Sequence, residues 1–148
     1  MTDPVPAHLR TVTPRLVVRD GVAAMDFYRA AFGAEEHGDR FVTPDGSVIH
    51  AEVRIGDAIV MITEEPPDSE APARPPEAVG GAVTAIMETY WPDVDAVWER
   101  ALSAGAEVIY PLEDQFYGDR AGRVRDPFGH QWILSQRIGE ISAAELTP

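Results

Sequence analysis

The sequence predicts an α+β fold of two β-α-β-β-β modules. Three observations lead there: a long internal repeat, helix and strand periodicities that recur in the same order in each copy, and a length suited to one core. Residues 20–36 (D-G-V-A-A-M-D-F-Y-R-A-A-F-G-A-E-E) and 92–108 (P-D-V-D-A-V-W-E-R-A-L-S-A-G-A-E-V) are both amphipathic, and both close on Gly-Ala-Glu, which aligns Gly33 with Gly105 at an offset of 72. Further on, R-I-G-D-A-I-V-M-I (54–62) answers D-P-F-G-H-Q-W-I-L (126–134), with Gly56 against Gly129 at an offset of 73. Two copies of this size read as a duplicated supersecondary unit and not as a solenoid. At 148 residues, the copies are halves of a single domain or a tightly joined pair.

The elements follow in order. Residues 13–18 are β-branched and short, a strand. Asp20 is the N-cap of a helix over 22–32 that stops at Gly33, the residue type that most easily adopts the left-handed C′ conformation. Extended chain resumes over 34–43, T-P-D-G (43–46) turns, and strands 49–55 and 58–63 are joined tightly through Gly56-Asp57. The second copy gives a strand over 83–90, a helix over 94–104, and extended pieces at 107–110, 119–125 and 130–136. Between the copies, 64–81 holds five of the thirteen prolines and no apolar periodicity, so it is a semi-extended linker or a flap over a site. The organisation is therefore an N-terminal arm (1–12), a first module (13–63), the linker (64–81), a second module (82–136) and a C-terminal tail (137–148).

A formal net charge of −13 repels phosphate backbones and anionic membrane surfaces, so neither nucleic acid nor membrane is an expected partner. No cysteine is present, which excludes disulfides, thiolate nucleophiles and thiolate metal sites. Nothing near the start resembles a signal core, and no run approaches the ~20 apolar residues of a membrane span, so a cytoplasmic location is expected.

Residues two apart in a strand share a face. His50, Glu52 and Arg54 lie together opposite Ala51, Val53 and Ile55, and the apolar trio belongs against the helix. By the same alternation Arg123 and Arg125 lie opposite Val124, while Trp132 and Leu134 turn to the helix and leave Gln131, Ile133 and Ser135 on the other side. That second face mixes polar and apolar side chains, as a partly wetted cleft does. Tyr90, Trp91, Phe116 and Tyr117 flank strand ends, where rings can line a cleft mouth; Phe27, Tyr28 and Trp98 have the helical spacing of core residues. Asp119 and Arg120 read as turn-bracing residues.

The combination of R-L-V-V-R-D-x5-D-F-Y-x3-F-G-A (15–34), D-V-D-A-V-W-E-R-A-L-S-A-G-A (93–106) and R-D-P-F-G-H-Q-W (125–132) resembles the vicinal oxygen chelate superfamily, the glyoxalase, bleomycin-resistance and extradiol-dioxygenase group. Within it, G-S-V-I-H-A-E-V-R-I-G-D (46–57) and the run 117–132 are similar to the glyoxalase-like branch. The resemblance implies that the modules form an open eight-stranded mixed sheet around a ligand cleft, in a homodimer. It also implies metal ligands at positions that here hold Thr13, Val60, Ile86 and Ile133, none of them a good divalent-metal donor. The expected metal set is therefore none, and no cofactor is expected.

A displaced metal would draw on His50, Glu52 and Glu88; the plainer alternative pairs Glu52 and Arg54 with Arg123 or Arg125 across the sheet. His8, His37 and His130 are expected at the surface or in turns. His50 and Glu52 are the candidate catalytic residues, through acid-base chemistry. Candidate ligand-binding residues are Arg15, His50, Glu52, Glu88, Tyr90, Tyr117, Arg123 and Gln131. Two functions follow. The first is metal-free binding of a small, partly aromatic organic ligand, with antibiotic sequestration as one form of it and a cationic drug as a suitable cargo. The alternative is a lyase or isomerase of the glyoxalase type, with a displaced metal or with His50 and Glu52.

Overall fold

The computed structural model describes residues 2–66 and 68–140; Pro67 of the linker and residues 141–148 of the expected tail lie outside the described residues. The chain divides into two compact units, with the boundary between Ala82 and Val83. Among the described residues there are nine strands and two α-helices, an α+β composition with one mixed sheet in each unit. No helix among them is long and apolar enough to cross a membrane.

The first unit runs β1 (Arg15–Val17), α1 (Gly21–Phe32), β2 (Glu35–Glu36), β3 (Phe41–Val42), β4 (Val48–Ile55) and β5 (Ala58–Thr63). Its sheet has the order β1-β5-β4-β2, with β3 also on β4; β1 and β5 are parallel and the other pairs antiparallel. Asp20 caps α1 by accepting from the Ala23 amide at 3.0 Å. Met25, Phe27, Tyr28, Ala31 and Phe32 are buried on the helix, while Ala51, Val53 and Ile55 supply the apolar side of β4 and pair with Ile62, Val60 and Ala58. The expected extended piece over 34–43 is two short strands broken by the Gly38 turn. The linker is not wholly irregular either: Pro76–Val79 forms a 3-10 turn with Pro76 buried.

Gly33 takes the left-handed conformation at the end of α1 (φ 67°) and Gly105 at the end of α2 (φ 118°), as the repeat predicts. A Cβ at Gly33 would meet nothing within 4 Å, so the penalty for substitution there is conformational and not steric. Gly33→Val is expected to cost about 1 kcal/mol or more in urea unfolding; stability equal to wild type would contradict this helix end.

The second unit runs β6 (Met87–Tyr90), α2 (Val94–Ala104), β7 (Glu107–Asp114), β8 (Asp119–Arg125) and β9 (Gln131–Arg137). The order β6-β9-β8-β7, with β6 and β9 parallel, repeats the order β1-β5-β4-β2 of the first sheet, in which β3 is an additional strand. Two boundaries differ from expectation. The first strand spans only Met87–Tyr90 and not 83–90, and β7 continues past Pro111 to Asp114 with irregular register, because a proline is tolerated where the ladder is already broken.

Register aligns the copies residue by residue. Arg15 pairs with Met61 as Glu88 pairs with Ile133, and Glu52 pairs with Met61 as Arg123 pairs with Ile133. Met61, and not Val60, is thus the equivalent of Ile133.

Candidate functional site

In the second unit a cross-strand row runs Glu88 (β6), Ile133 (β9), Arg123 (β8) and Tyr110 (β7). The opposite side of this sheet belongs to the helix: Val124, Trp132 and Leu134 are buried, and Trp98 of α2 lies against Gly122. On the row side is a pocket of about 280 Å³ lined in part by Tyr110, Pro111, Gln115, Tyr117, Arg123 and Ile133. Its walls include two phenol rings, a proline and an isoleucine, and its charged lining residues are one cation, Arg123, and one anion, Glu113.

The guanidinium of Arg123 lies 5.3 Å from the Tyr110 ring centroid, within cation-π range. Its Nη1 donates to Gln131 Oε1 at 3.4 Å, a long bond. Its Nε is buried and has no hydrogen-bond partner among the described residues. A buried charged donor left unpaired is costly and uncommon in folded chains, and such a group marks a place where an acceptor belongs. Gln115 donates through Nε2 to the carbonyls of Glu113 and Ala121 at 3.3 and 3.1 Å, which fixes the loop after β7 as one wall. Desolvation, with the Asp119 and Glu88 carboxylates, raises the Tyr117 phenol above its ordinary value, so Tyr117 presents a neutral hydroxyl.

In the first unit the equivalent row is Arg15, Met61 and Glu52, and the His37 amide continues it by donating to the Glu52 carbonyl at 2.8 Å. Glu52 Oε1 stands 2.8 Å from His8 Nε2 and Oε2 stands 3.0 Å from His50 Nε2. The His8 and His37 rings stack at 4.1 Å. Burial pushes the Glu52 carboxyl up, but the hydrogen bonds of His50 and His8 outweigh it and hold the group below the usual carboxylate range. Three of the chain's four histidines thus converge on one glutamate.

Of the residues singled out from sequence, His50 and Glu52 are hydrogen-bonded to each other, and Arg15 lies in the Glu52 row, donating to the Met61 sulfur at 3.6 Å. Glu88, Arg123 and Gln131 lie together on the row side of the second sheet, and Tyr117 lines its pocket. Tyr90 does not line it: its hydroxyl donates to the buried Asp119 carboxylate at 2.7 Å, and that bond, with desolvation, pushes the phenol up to about 12. Asp119 and Arg120, expected in a turn, are the first residues of β8, and Arg120 bonds the carboxylates of Asp95 and Asp114.

Two expectations are corrected. Glu52 pairs with His8 and His50, not with an arginine, whereas Arg125 pairs with Glu107 at 3.5 Å. His8 and His37 are half-buried beside Glu52 and not turned to solvent; His130 does sit in a turn, its amide held by Asp126. Nothing in the sequence marks Tyr110 and Gln115: the extended piece expected there ends at residue 110, before Pro111, whereas the strand continues to Asp114.

The positions where the family resemblance implies metal ligands do not fit a metal. Val60 is buried and Ile133 lines the pocket, both without a donor; Met61, the register equivalent, offers only a thioether already engaged by Arg15.

Comparison with known proteins adds three findings. The sequence profile of the Glyoxalase/Bleomycin resistance protein/Dioxygenase superfamily matches residues 7–134. Uncharacterized proteins of Mycobacterium tuberculosis H37Rv and Mycobacterium bovis are 45% identical over 136 residues, which cover 91% of this chain and 79% and 88% of theirs. Among solved structures, TioX from Micromonospora sp. ML1 is 26% identical with a TM-score of 0.63, covering 90% of this chain and 100% of that one. A superfamily member from Sphaerobacter thermophilus, at 24% identity and a TM-score of 0.64 over 87% of this chain and 98% of that one, shares the fold.

Proposed function

The chain belongs to the glyoxalase/bleomycin resistance protein/dioxygenase superfamily, and from that premise we propose that it binds a small, partly aromatic organic molecule in the pocket of its second module. The observation that carries this reading is the buried Arg123 Nε with no partner, set among Tyr110, Tyr117, Pro111 and Ile133. An acceptor oxygen on the ligand would bond the Arg123 guanidinium, which must turn to bring its enclosed Nε within reach, while a flat apolar ring fills the space between the phenols. At about 280 Å³ the pocket is near the lower end of the ~300–1,000 Å³ typical of ligand sites, which suits one or two rings. The ligand class is therefore an aromatic carboxylate or carbonyl compound, in place of the cation that net charge alone suggests. Sequestration of an antibiotic with such a group is one form this function takes.

Binding is favoured over lyase or isomerase chemistry at His50 and Glu52 because both oxygens of Glu52 are already held by histidines, which leaves a weak general base. The proposal includes a homodimer in the cytoplasm. The family resemblance supports the first, and the cysteine-free composition agrees with the second.

Calorimetric titration with 2-naphthoate, 2-naphthamide and 2-naphthylmethylamine tests the ligand class. The carboxylate is expected to bind wild type, and Arg123→Ala to weaken it about tenfold or more with the melting temperature little changed, tenfold being 1.4 kcal/mol. Tighter binding of the amine, or equal carboxylate affinity in Arg123→Ala, would overturn the assignment.

A further inference from the structure

The pocket of the second module carries the proposed function; the histidine cluster of the first module shares no residue with it and has no part in that reading. His8, His37 and Glu52 each offer one ligand atom, and the three atoms lie within 4.8 Å of one another. Ligands on a shared ion at ~2.0–2.1 Å stand about 3–4 Å apart. The 2.8 Å contact of His8 Nε2 with Glu52 Oε1 is thus already close to the separation of two neighbouring ligands. The remaining adjustment is a rotation of side chains, because the backbone bond from the His37 amide to the Glu52 carbonyl holds these two positions side by side.

We infer that His8, His37 and Glu52 form a binding site for a divalent first-row transition ion of the zinc and nickel class. Two imidazoles and one carboxylate are the donor set of such sites, and three protein ligands leave coordination positions open for water or a small ligand. His50 is a positioning residue here. It holds the second Glu52 oxygen at 3.0 Å and so presents the first to the metal, as outer-shell partners of metal-bound carboxylates do. The arm containing His8 is turned by the bond from the Leu9 amide to the Pro6 carbonyl, which brings its imidazole onto the His37 ring. The site uses none of Thr13, Val60, Ile86 and Ile133, the positions the family resemblance points to, and draws on His8 and His37, for which surface or turn positions were expected.

Zinc chloride is titrated into the full-length protein after dialysis against chelator, with cobalt(II) absorption as a second readout. Wild type is expected to take up about one equivalent and to show visible d–d bands of nitrogen and oxygen ligation. Glu52→Gln and His37→Ala should each weaken zinc by at least roughly tenfold, whereas His130→Ala and Arg123→Ala should match wild type. The last of these separates failure of this site from failure of the pocket. If Glu52→Gln and His37→Ala lose circular-dichroism signal, His8→Ala decides, since His8 lies in the N-terminal arm before the first strand. No zinc uptake by wild type, or uptake by folded His37→Ala or His8→Ala as tight as that of wild type, would overturn the site.

Discussion

Trp132→Ala is expected to destabilise the protein by about 3–5 kcal/mol, the range of large aromatic deletions from a packed core. Trp132 is 2% exposed on the helix side of β9, and its indole Nε1 donates to Asp126 Oδ2 at 2.9 Å. Asp126 is itself buried, and its other oxygen accepts from the amides of Phe128 and His130 at 2.8 and 3.0 Å, which shapes the turn between β8 and β9. The substitution therefore removes core volume and strips a donor from a buried carboxylate. Trp132→Phe keeps an aromatic ring but loses the N–H donor together with a smaller part of the volume, and should cost less than Trp132→Ala. Urea unfolding with an unchanged slope measures both. A loss under 1 kcal/mol in Trp132→Ala would mean that the two faces of the second sheet are assigned the wrong way round, and Arg123 and Ile133 would not share a pocket.

Gly122→Ala should cost about 1–3 kcal/mol for the opposite reason, overpacking. A Cβ there would stand 2.6 and 2.7 Å from ring atoms of Trp98 and 2.9 Å from the Leu112 Cα. Trp98 is buried on α2 and Leu112 offers backbone, so neither yields cheaply. Removing the obstacle should recover stability: Gly122→Ala with Trp98→Leu is expected to lose less than the sum of the single changes. Strict additivity would show that the ring does not press on this glycine. Gly122 also lines the pocket, so a shifted β8 should weaken 2-naphthoate as well.

The fold was legible because its signals are local and occur twice. Aspartate caps, glycine stops and a period of two in β4 and β9 need no knowledge of distant contacts, and each was confirmed by its counterpart in the other copy. Register was less legible. The offset between copies is 73 at Arg15 and Glu88, 72 at Met61 and Ile133, and 71 at Glu52 and Arg123. A constant offset of 73 therefore selects Val60 in place of Met61, because the chain from Arg123 to its partner Ile133 is one residue longer than the chain from Glu52 to its partner Met61. The clustering of His8 with Glu52 spans 44 residues and arises from an arm without periodicity, so no sequence pattern marks it. His37 was within reach: it continues β2 beyond Glu36, whose register with Val53 puts the next residue opposite Glu52. Gly122 gave no signal distinguishing it from a turn glycine, since the close approach of Trp98 is a tertiary fact. Arg123 was placed on the correct face by alternation alone, but its unpartnered Nε is visible only in three dimensions.

The central claim, that Arg123 awaits an acceptor from a ligand, is tested most directly by the side-chain Nε–H resonance of Arg123 in a nitrogen-15 spectrum, assigned by its loss in Arg123→Lys. Titration with 2-naphthoate is predicted to shift that resonance downfield and slow its exchange with water, with the same dissociation constant that calorimetry gives. A resonance that stays fixed while naphthoate binds would contradict the claim and place the ligand elsewhere.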